Sequence, residues 1–284
     1  MATPILSRHI LPGALGDIFV DVRAGGRSSP RPAVVLVHGF KGFKDWGFWP
    51  PFAERLARAG FSAVSFNMSG SGVDPDGNAS LGEQFAHNTF SADLADLDTV
   101  VAHLTSGALE LPMPSALALV GHSRGGGISI LHTAHDPRVR ALVTWASTAS
   151  TDRWGPETRK RWRAAGYLNV TNARTGQVLS MSTDLLDDAE QHRKALDVAG
   201  AAAAISAPWL IMHGRQDETV GFEDAEALKR ASNQPSTVLL ALDNTGHTFG
   251  ASHPWHPPVP AAELVFSRTI EFLGRALGGG GIPR

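Results

Sequence analysis

The sequence predicts an α/β protein with a mostly parallel central sheet and helices on both faces of that sheet. Short apolar runs that do not alternate with polar residues recur along the chain, and helical patterns lie between them. Such runs are typical of parallel strands buried on both faces, and their alternation with helices is typical of a layered α/β fold. A long segment, residues 148–204, breaks the alternation and therefore indicates an insertion.

The apolar runs and the patterns between them give the elements in order. Six runs are predicted as strands, at residues 33–37, 61–66, 116–120, 139–145, 209–212 and 237–242. A helix is predicted over 50–59, where Gly60 follows as a stop. Another is predicted over 91–106, with Ser91 as its N-terminal cap and Gly107 as its stop. The apolar residues of this helix and of a last one fall at helical spacing: Leu94, Leu97, Val101 and Leu104, then Phe266, Ile270, Leu273 and Leu277.

The inserted segment is predicted to form a cap over the edge of the sheet. It begins polar and aromatic, and residues 166–183 have the pattern of a small hairpin with residues 172–176 as its turn. A charged stretch and an Ala-rich helix follow. Two ordinary crossover helices are the alternative. We expect three parts: the first part of the core at 1–147, the cap at 148–204, and the second part of the core at 205–284, which ends in a glycine-rich tail.

The composition narrows the classes of function. The chain has 284 residues with 25 basic side chains, 27 acidic ones and no cysteine. The lack of cysteine excludes disulfides, thiolate metal sites and a cysteine nucleophile, and the balanced charge predicts no attraction to nucleic acid. No run reaches the ~20 apolar residues of a membrane helix, and the first residues lack a signal-peptide pattern. We therefore expect a cytoplasmic protein without a membrane span. Its oligomeric state stays open, a homodimer included.

The stretch Gly121-His-Ser123-Arg-Gly125 is predicted to present a nucleophile. It has the pattern G-x-S-x-G between a predicted strand and a helical run. In such a turn the residues two before and two after the serine must lack bulk, because neighbouring backbone passes close by. The start of the helix also directs N–H groups toward developing negative charge. A serine that only caps the helix is the alternative.

A serine nucleophile needs a histidine base and a carboxylate that orients the base. Asp217 follows the predicted strand 209–212, and His247 follows the strand 237–242, in the chain order of this architecture. Both lie after the carboxyl ends of strands, where open α/β sheets form their sites. Glu218 and Asp224 are alternative acids.

For the histidine, His253 and His256 are the alternatives to His247. Gly246 favours His247, because a glycine lets the loop turn sharply. The spacing of His253 and His256 also suits a metal-binding pair, but the prolines around them oppose a helix there. We predict no metal site and no cofactor.

Two backbone N–H groups are needed to stabilise an oxyanion. We expect them from Arg124, which follows the serine, and from Phe40, which lies in the loop after strand 33–37. Alternatively, residues 38–40 form only a turn from strand to loop, and Phe40 donates no hydrogen bond to an oxyanion. The side chain of Arg124 is expected to face solvent or a nearby acid, without a catalytic role.

These motifs together resemble the α/β-hydrolase-fold serine hydrolases, in particular the dienelactone-hydrolase-like and cinnamoyl-esterase-like branch. The similar motifs are HGF at 38–40, GHSRGG at 121–126, HGRQDETV at 213–220 and GHTFG at 246–250. The resemblance extends from about residue 16 to residue 277 and implies an ester hydrolase with a Ser-His-Asp triad, no cofactor and a small hairpin in the cap. There are two departures. Dienelactone hydrolases use a cysteine, and residues 67–73 lack the Asp-x-Arg-Gly-x-Gly run of many relatives.

The expected activity is hydrolysis of small carboxylic esters, with medium acyl or aryl (hydroxycinnamoyl) groups, through an acyl-enzyme on Ser123. The pocket is expected to be apolar and aromatic, with about half of its aromatic residues anchoring the cap instead. Its predicted lining residues are Phe43, Trp46, Trp154, Trp162, Tyr167, Leu179 and Met181, with Phe40, Phe48 and Trp49 from the same loop as Trp46.

The same motifs are compatible with other functions. A serine peptidase could bind the substrate amine through one of four cap acids: Glu157, Asp184, Asp187 or Asp188. An acyltransferase or a C–C bond hydrolase could use the same triad, and a non-catalytic ligand-binding protein is a remote alternative. Haloalkane dehalogenases and epoxide hydrolases are disfavoured, because they need an aspartate at the position of Ser123.

Overall fold

A computed structural model of the chain describes residues 3–26, 28–171 and 177–278. The strands in these ranges are β1 (Ile5–Gly13), β2 (Gly16–Ala24), β3 (Ala33–Val37), β4 (Ser62–Asn67), β5 (Leu117–His122), β6 (Val139–Trp145), β7 (Tyr167–Thr171), β8 (Val178–Ser182), β9 (Trp209–Gly214) and β10 (Val238–Leu242). The helices are α1 (Trp49–Arg58), α2 (Gly82–Ala86), α3 (Phe90–Thr105), α4 (Arg124–His135), α5 (Pro156–Ala165), α6 (Asp184–Gln191), α7 (Val198–Ala204), α8 (Phe222–Ala231) and α9 (Pro260–Ala276).

Eight strands form one sheet, in the order β1-β2-β4-β3-β5-β6-β9-β10. The six strands from β4 to β10 in this order pair in parallel, which confirms the predicted mostly parallel sheet and all six predicted strands. The strand order reverses around β3, because β4 lies on one side of it and β5 on the other. The carboxyl ends of β3 and β5 therefore border the crevice in which open α/β sheets place their sites.

The N-terminal hairpin of β1 and β2 is absent from the sequence prediction. The two strands pair antiparallel from Ile5↔Ala24 to Gly13↔Gly16, and β2 pairs antiparallel with β4. In β2, three alternate residues are buried, namely Ile18, Val20 and Val22. Apolar residues that alternate in this way are typical of a half-buried strand, so β2 was predictable from the sequence. β1 gives a weaker signal, because it is an edge strand with exposed apolar side chains.

An apolar core lies on each face of the sheet. The core under α1 and α9 contains an aromatic stack in which the indole of Trp145 lies 5.3 Å from that of Trp49, at an interplanar angle of 10°. The ring of Phe266 stacks on Trp145 at 5.9 Å, and the Trp145 Nε1–H donates to Oγ1 of Thr269. The other face is covered by α3, α4, α7 and α8. Helices on both faces are therefore confirmed.

The ends of α3 differ in part from the prediction. The helix begins at Phe90, and its cap is Thr89, whose Oγ1 accepts a hydrogen bond from the N–H of Ala92 at 3.1 Å. The prediction of Ser91 as the cap is wrong, because Ser91 already lies inside the first turn. The predicted stop is confirmed, since Gly107 follows the helix with a φ of +81°, a conformation that glycine adopts without strain.

Between β6 and α7 the chain forms α5, the hairpin β7–β8 and α6. The hairpin is confirmed, with partners from Tyr167↔Ser182 to Thr171↔Val178. Its predicted turn, residues 172–176, lies outside the described residues, as do residues 279–284 of the glycine-rich tail. The Ala-rich helix is α7, which packs against α4 and α8. Within the described ranges, no helix has both the length and the apolar character needed to cross a bilayer.

Candidate active site

Ser123 occupies a strained turn between β5 and α4. Its φ of 57° and ψ of −124° lie in a region that non-glycine residues rarely adopt. The glycines around it are required by close packing. A Cβ on Gly121 would lie 2.4 Å from the carbonyl oxygen of Gly125, and one on Gly125 would lie 2.2 Å from the carbonyl oxygen of His38. The turn therefore fixes Ser123 at the carboxyl end of β5 and at the N-terminus of α4.

Asp217 and His247 form a hydrogen-bonded pair beside this turn. Nδ1 of His247 lies 2.8 Å from Oδ2 of Asp217, and the Asp217 side chain is fully buried. The N–H groups of Thr219 and Val220 donate to Oδ1 at 2.9 Å each. The loop that carries Asp217 contacts the loop that carries His247. A Cβ on Gly214 would lie 2.1 Å from the carbonyl oxygen of Thr245.

A second histidine contacts the same carboxylate. Nε2 of His213 lies 3.3 Å from Oδ2 of Asp217, and it donates to the carbonyl oxygen of Val220 at 2.8 Å. Burial by itself raises the pKa of the Asp217 carboxyl. The hydrogen bonds from His213, His247 and the Val220 N–H outweigh burial and hold this pKa well below its ordinary value. Asp217 is therefore ionised and oriented toward His247.

The alternative acids and histidines lie elsewhere. Asp224 pairs with Arg153 at 2.6 Å, and Glu218 is exposed. Nδ1 of His253 accepts the N–H of Gly47 at 3.0 Å. Neither His253 nor His256 is among the residues that line the cavity beside Ser123.

The loop after β3 brings backbone next to Ser123. A Cβ on Gly39 would lie 2.8 Å from Cβ of Ser123 and 3.4 Å from its Oγ. Nε2 of His38 accepts the N–H of Met68 at 3.1 Å, so its proton is on Nδ1, which donates to the carbonyl oxygen of Gly39 at 2.9 Å. Because a trans peptide is planar, this bond directs the N–H of Phe40 to the opposite side from the carbonyl. Burial lowers the pKa of His38 to about 4, so it is neutral in this role.

The side chain of Arg124 is buried and paired. Its Nε lies 2.6 Å from Oδ2 of Asp93, and its guanidinium lies over the ring of Phe90 at 4.2 Å. The Arg124 side chain was predicted to face either solvent or a nearby acid, and in the structure it faces the acid Asp93. Burial raises the pKa of Asp93 to about 6, although Arg124 opposes this rise.

His122 supports the loop of His247. Its Nε2 donates to the carbonyl oxygen of His247 at 3.0 Å, and the two rings lie 4.7 Å apart. Burial, together with the nearby His247, lowers the pKa of His122 to about 3. Sequence reasoning assigned no role to His38, His122 or His213. Their position along the chain could have indicated a role, because each lies at the carboxyl end of a predicted strand and next to a motif glycine or serine.

A cavity of about 570 Å³ opens over Ser123 and His247. Phe40 and Arg124 are part of its wall. Of the predicted aromatic lining, Trp46, Trp154, Phe48 and Trp49 also line it. Further lining residues, which the sequence analysis did not identify, come from four loops and from α3: Lys41, Phe90, Thr148, Ser150, Arg153, Thr219, Val220 and Thr248.

Five predicted lining residues are not part of this wall. Phe43 is buried and lies 5.1 Å from the ring of His253. Trp162 is 1% exposed, and its Nε1–H donates to the carbonyl oxygen of Met181. Leu179 and Met181 are buried beside it in the cap, and Tyr167 is 53% exposed. Three of the five, Tyr167, Leu179 and Met181, belong to the hairpin β7–β8, and the sequence does not show which face of a hairpin packs inward.

Known proteins share this architecture. The family described as serine aminopeptidase, S33, matches residues 28–195, which is more than half of the chain. The chain is 25% identical over 227 residues to 2,6-dihydropseudooxynicotine hydrolase of Paenarthrobacter nicotinovorans, a match that covers 76% of this chain and 54% of that protein. The chain thus spans about half the length of this curated relative.

Two solved structures show the same fold. Est1E from Butyrivibrio proteoclasticus with bound ferulic acid is 19% identical, with a TM-score of 0.71 over 95% of this chain and 100% of that one. The esterase domain of a Rhodothermus marinus protein is 17% identical, with a TM-score of 0.65 over 96% of this chain and 100% of that one. Since the family match includes the strand, turn and helix around Ser123, the chain belongs to the serine aminopeptidase S33 family of α/β-hydrolase-fold hydrolases.

Proposed function

We propose that this chain hydrolyses carboxylic esters through an acyl-enzyme formed on Ser123. One observation carries the proposal. The strained Ser123 and the imidazole of His247 line the same cavity, and Nδ1 of His247 lies 2.8 Å from the buried carboxylate of Asp217. A nucleophile, a base and a carboxylate that orients the base are the parts that this chemistry needs.

The reaction follows from the protonation states. Because Nδ1 of His247 donates to Asp217, Nε2 has a free lone pair and takes the hydroxyl proton of Ser123 while Oγ attacks the ester carbonyl carbon. Asp217 stabilises the imidazolium. The N–H groups of Phe40 and Arg124 are proposed to stabilise the oxyanion. His247 then gives its proton to the leaving alcohol, and a water molecule repeats the sequence and releases the acid.

The cavity supports medium acyl or aryl substrates. Its volume of about 570 Å³ is that of a small-molecule site. Trp46, Trp154 and Phe40 supply aromatic surface on which an apolar chain or an aromatic ring can pack. Est1E, which shares the fold, was solved with ferulic acid bound, and we therefore include hydroxycinnamoyl esters among the proposed substrates.

The lining of the cavity favours an ester over an N-terminal peptide substrate, despite the name of the family. The charged side chains among its described lining residues are Lys41, Arg124 and Arg153, all cationic. Arg124 and Arg153 are paired with Asp93 and Asp224, and no acidic side chain among the described lining residues is available to bind a protonated substrate amine.

The cap acids proposed as amine ligands do not line the cavity, and three of them have other partners. Asp184 bonds His87 at 2.6 Å, Asp187 bonds Arg163 at 2.7 Å, and Asp188 accepts the N–H of Ser91 at 3.0 Å. Glu157 is exposed at the start of α5.

The first experiment compares the wild type with Ser123→Ala and a control, Ser91→Ala. The substrates are p-nitrophenyl acetate, butyrate and octanoate, methyl ferulate and an aminoacyl p-nitroanilide. We expect ester turnover that Ser123→Ala lowers by about 10⁴–10⁶-fold and Ser91→Ala leaves unchanged. Thermal unfolding checks that both variants are folded. Dominant anilide turnover would establish a peptidase instead, and equal activity in wild type and Ser123→Ala would refute the proposed nucleophile. Product analysis with added alcohols and with diketones tests acyl transfer and C–C hydrolysis.

A further inference from the structure

The end of α4 that lies away from Ser123 carries a second cluster of polar side chains. The helix has 12 residues, so at ~1.5 Å per residue it is about 18 Å long, and its last turn lies far from Ser123. In that last turn His132 and His135 are three residues apart and share a face. Asp98 of α3 lies opposite them. Ligand atoms of these three side chains all lie within 4.8 Å of one another, and no other such group occurs in the described ranges.

The two imidazoles direct nitrogen atoms at the same carboxylate oxygen. Nδ1 of His132 lies 2.6 Å from Oδ1 of Asp98, and Nε2 of His135 lies 3.7 Å from it. Nδ1 of His135 donates to the carbonyl oxygen of Leu131 at 2.9 Å. The proton of neutral His135 is therefore on Nδ1, and the lone pair of its Nε2 is free to bind a ligand.

We propose that Asp98, His132 and His135 form a binding site for one divalent transition-metal ion such as Zn²⁺. Two imidazole nitrogens and one carboxylate oxygen are a donor set that suits Zn²⁺ and Co²⁺. Metal–ligand bonds of about 2.0–2.2 Å place tetrahedral ligands about 3.3 Å apart, and the 2.6 and 3.7 Å separations here bracket this value. For Nδ1 of His132 to bind the ion, the imidazole must carry its one remaining proton on Nε2, which faces Asp136. A neutral His132 reaches this state by moving its proton from Nδ1 to Nε2, and a protonated one releases the Nδ1 proton to water.

The surroundings of His132 suit a ligand role. Its side chain is 2% exposed, and its Nε2 is buried 3.1 Å from Oδ2 of Asp136 without a directed hydrogen bond among the described residues. A carboxylate beside the second nitrogen of a metal-binding histidine is a common arrangement that raises the basicity of the ligand. Arg138 donates to Asp136 from Nε at 2.9 Å and from Nη2 at 2.7 Å, and so fixes the position of that carboxylate.

The cluster is open to solvent on one side. The side chains of Asp98 and His135 are 49% and 54% exposed, so an ion can enter and keep water in its fourth position. The ion would bridge α3 and α4, the helix that begins at Ser123, and it would stabilise the fold. It takes no part in the proposed ester chemistry, and the site does not depend on that proposal.

The test titrates the whole chain, freed of any polyhistidine tag and treated with chelator, with ZnCl₂ and separately with CoCl₂. Calorimetry gives the stoichiometry and Kd for Zn²⁺, and the visible spectrum reports the ligands of Co²⁺. The variants are His135→Gln and Asp98→Asn. The matched control is His103→Gln, because Nδ1 of His103 also donates to the carbonyl oxygen four residues earlier, at 2.9 Å, but His103 lies outside the cluster.

We expect one Zn²⁺ per chain and a rise in Tm of about 5 °C when free Zn²⁺ is ~100 times Kd. Each cluster variant should weaken binding at least about tenfold, and the control should not. Absence of saturable binding in the wild type would overturn the proposal. The contact between Asp98 and His132 would then be an ordinary hydrogen bond. Binding that His135→Gln leaves unchanged, or that His103→Gln weakens equally, would overturn it as well.

Discussion

Ser123 has a backbone conformation that costs about 1–3 kcal/mol, and its neighbours make that conformation possible by having no side chains. The backbone of Gly125 lies against the end of β3, and that of Gly39 lies against Ser123 itself. Both contacts join the turn to the loop that carries Phe40. The position of the proposed oxyanion donor and that of the nucleophile are therefore set by the same glycines.

We predict that Gly125→Ala lowers both stability and ester turnover. Its Cβ would lie 2.2 Å from the carbonyl oxygen of His38 and 2.4 Å from that of Val37, so β3 or α4 must move. Such overpacking costs about 1–3 kcal/mol. The control is Gly82→Ala, where a Cβ meets nothing within 4 Å. Urea unfolding and p-nitrophenyl butyrate turnover measure the two effects. A Gly125→Ala variant as stable and active as the control would contradict this account of the turn.

At the scale of elements, the cap contains two tryptophans with different surroundings. Trp154 and Trp162 pack edge to face at 5.2 Å, but only Trp154 lines the cavity. Trp162, a residue of α5, is buried, and its Nε1–H donates to the carbonyl oxygen of Met181 in the hairpin β7–β8. One indole therefore contacts the proposed substrate site, and the other contributes to the stability of the cap.

We predict that Trp154→Ala and Trp162→Ala separate these two contributions. Trp154→Ala should raise KM for methyl ferulate about tenfold, because an aromatic contact is lost. Trp162→Ala should cost about 3–5 kcal/mol of stability, because it leaves a buried cavity and an unpaired carbonyl. Steady-state kinetics and urea unfolding on both variants give the comparison. Equal effects on KM would show that the cap acts as one unit.

The elements differ in how well the sequence predicts them. The six parallel strands were predictable because burial on both faces leaves continuous apolar runs. β1 was not, because its edge position leaves Ile5 and Ile10 exposed. The serine, aspartate and histidine of the candidate site were predictable from glycine motifs at strand ends. The bonds of His38 to Met68 and of His122 to His247 were not, because they join residues that are distant along the chain.

At the scale of the whole molecule, buried groups with shifted pKa values make stability depend on pH. Burial lowers the pKa of His38 to about 4 and that of His122 to about 3, and it raises the pKa of Asp93 to about 6. Below pH 6.5 the unfolded chain protonates both histidines while the folded chain does not, so acidification favours unfolding. Between pH 6 and 3.8 the folded chain holds a proton on Asp93 that the unfolded chain lacks. Burial also raises the pKa of Asp96, and both carboxyls offset part of the histidine contribution.

We therefore predict that the free energy of unfolding falls as pH decreases from 6.5 to about 4, by at most about 1.4 kcal/mol per pH unit for each uncompensated group. Urea unfolding at pH 7.5, 6.5, 5.5 and 4.5 measures the slope. His122→Gln keeps a side-chain N–H but removes one titrating group, and it should reduce the slope. A slope that His122→Gln leaves unchanged would show that the folded and unfolded chains bind the same number of protons at His122, and would contradict this account.

The aromatic stack below the site has an optical consequence. Trp145 stacks on Trp49 at 5.3 Å, and its carbonyl oxygen accepts the N–H of Ser123 at 2.9 Å. Two indoles at this distance and angle couple their excited states, so the near-ultraviolet circular dichroism spectrum depends on their mutual orientation, and it is lost when specific packing is lost. The chain therefore has an intrinsic chromophore that monitors, without substrate or label, the strand that supports the serine.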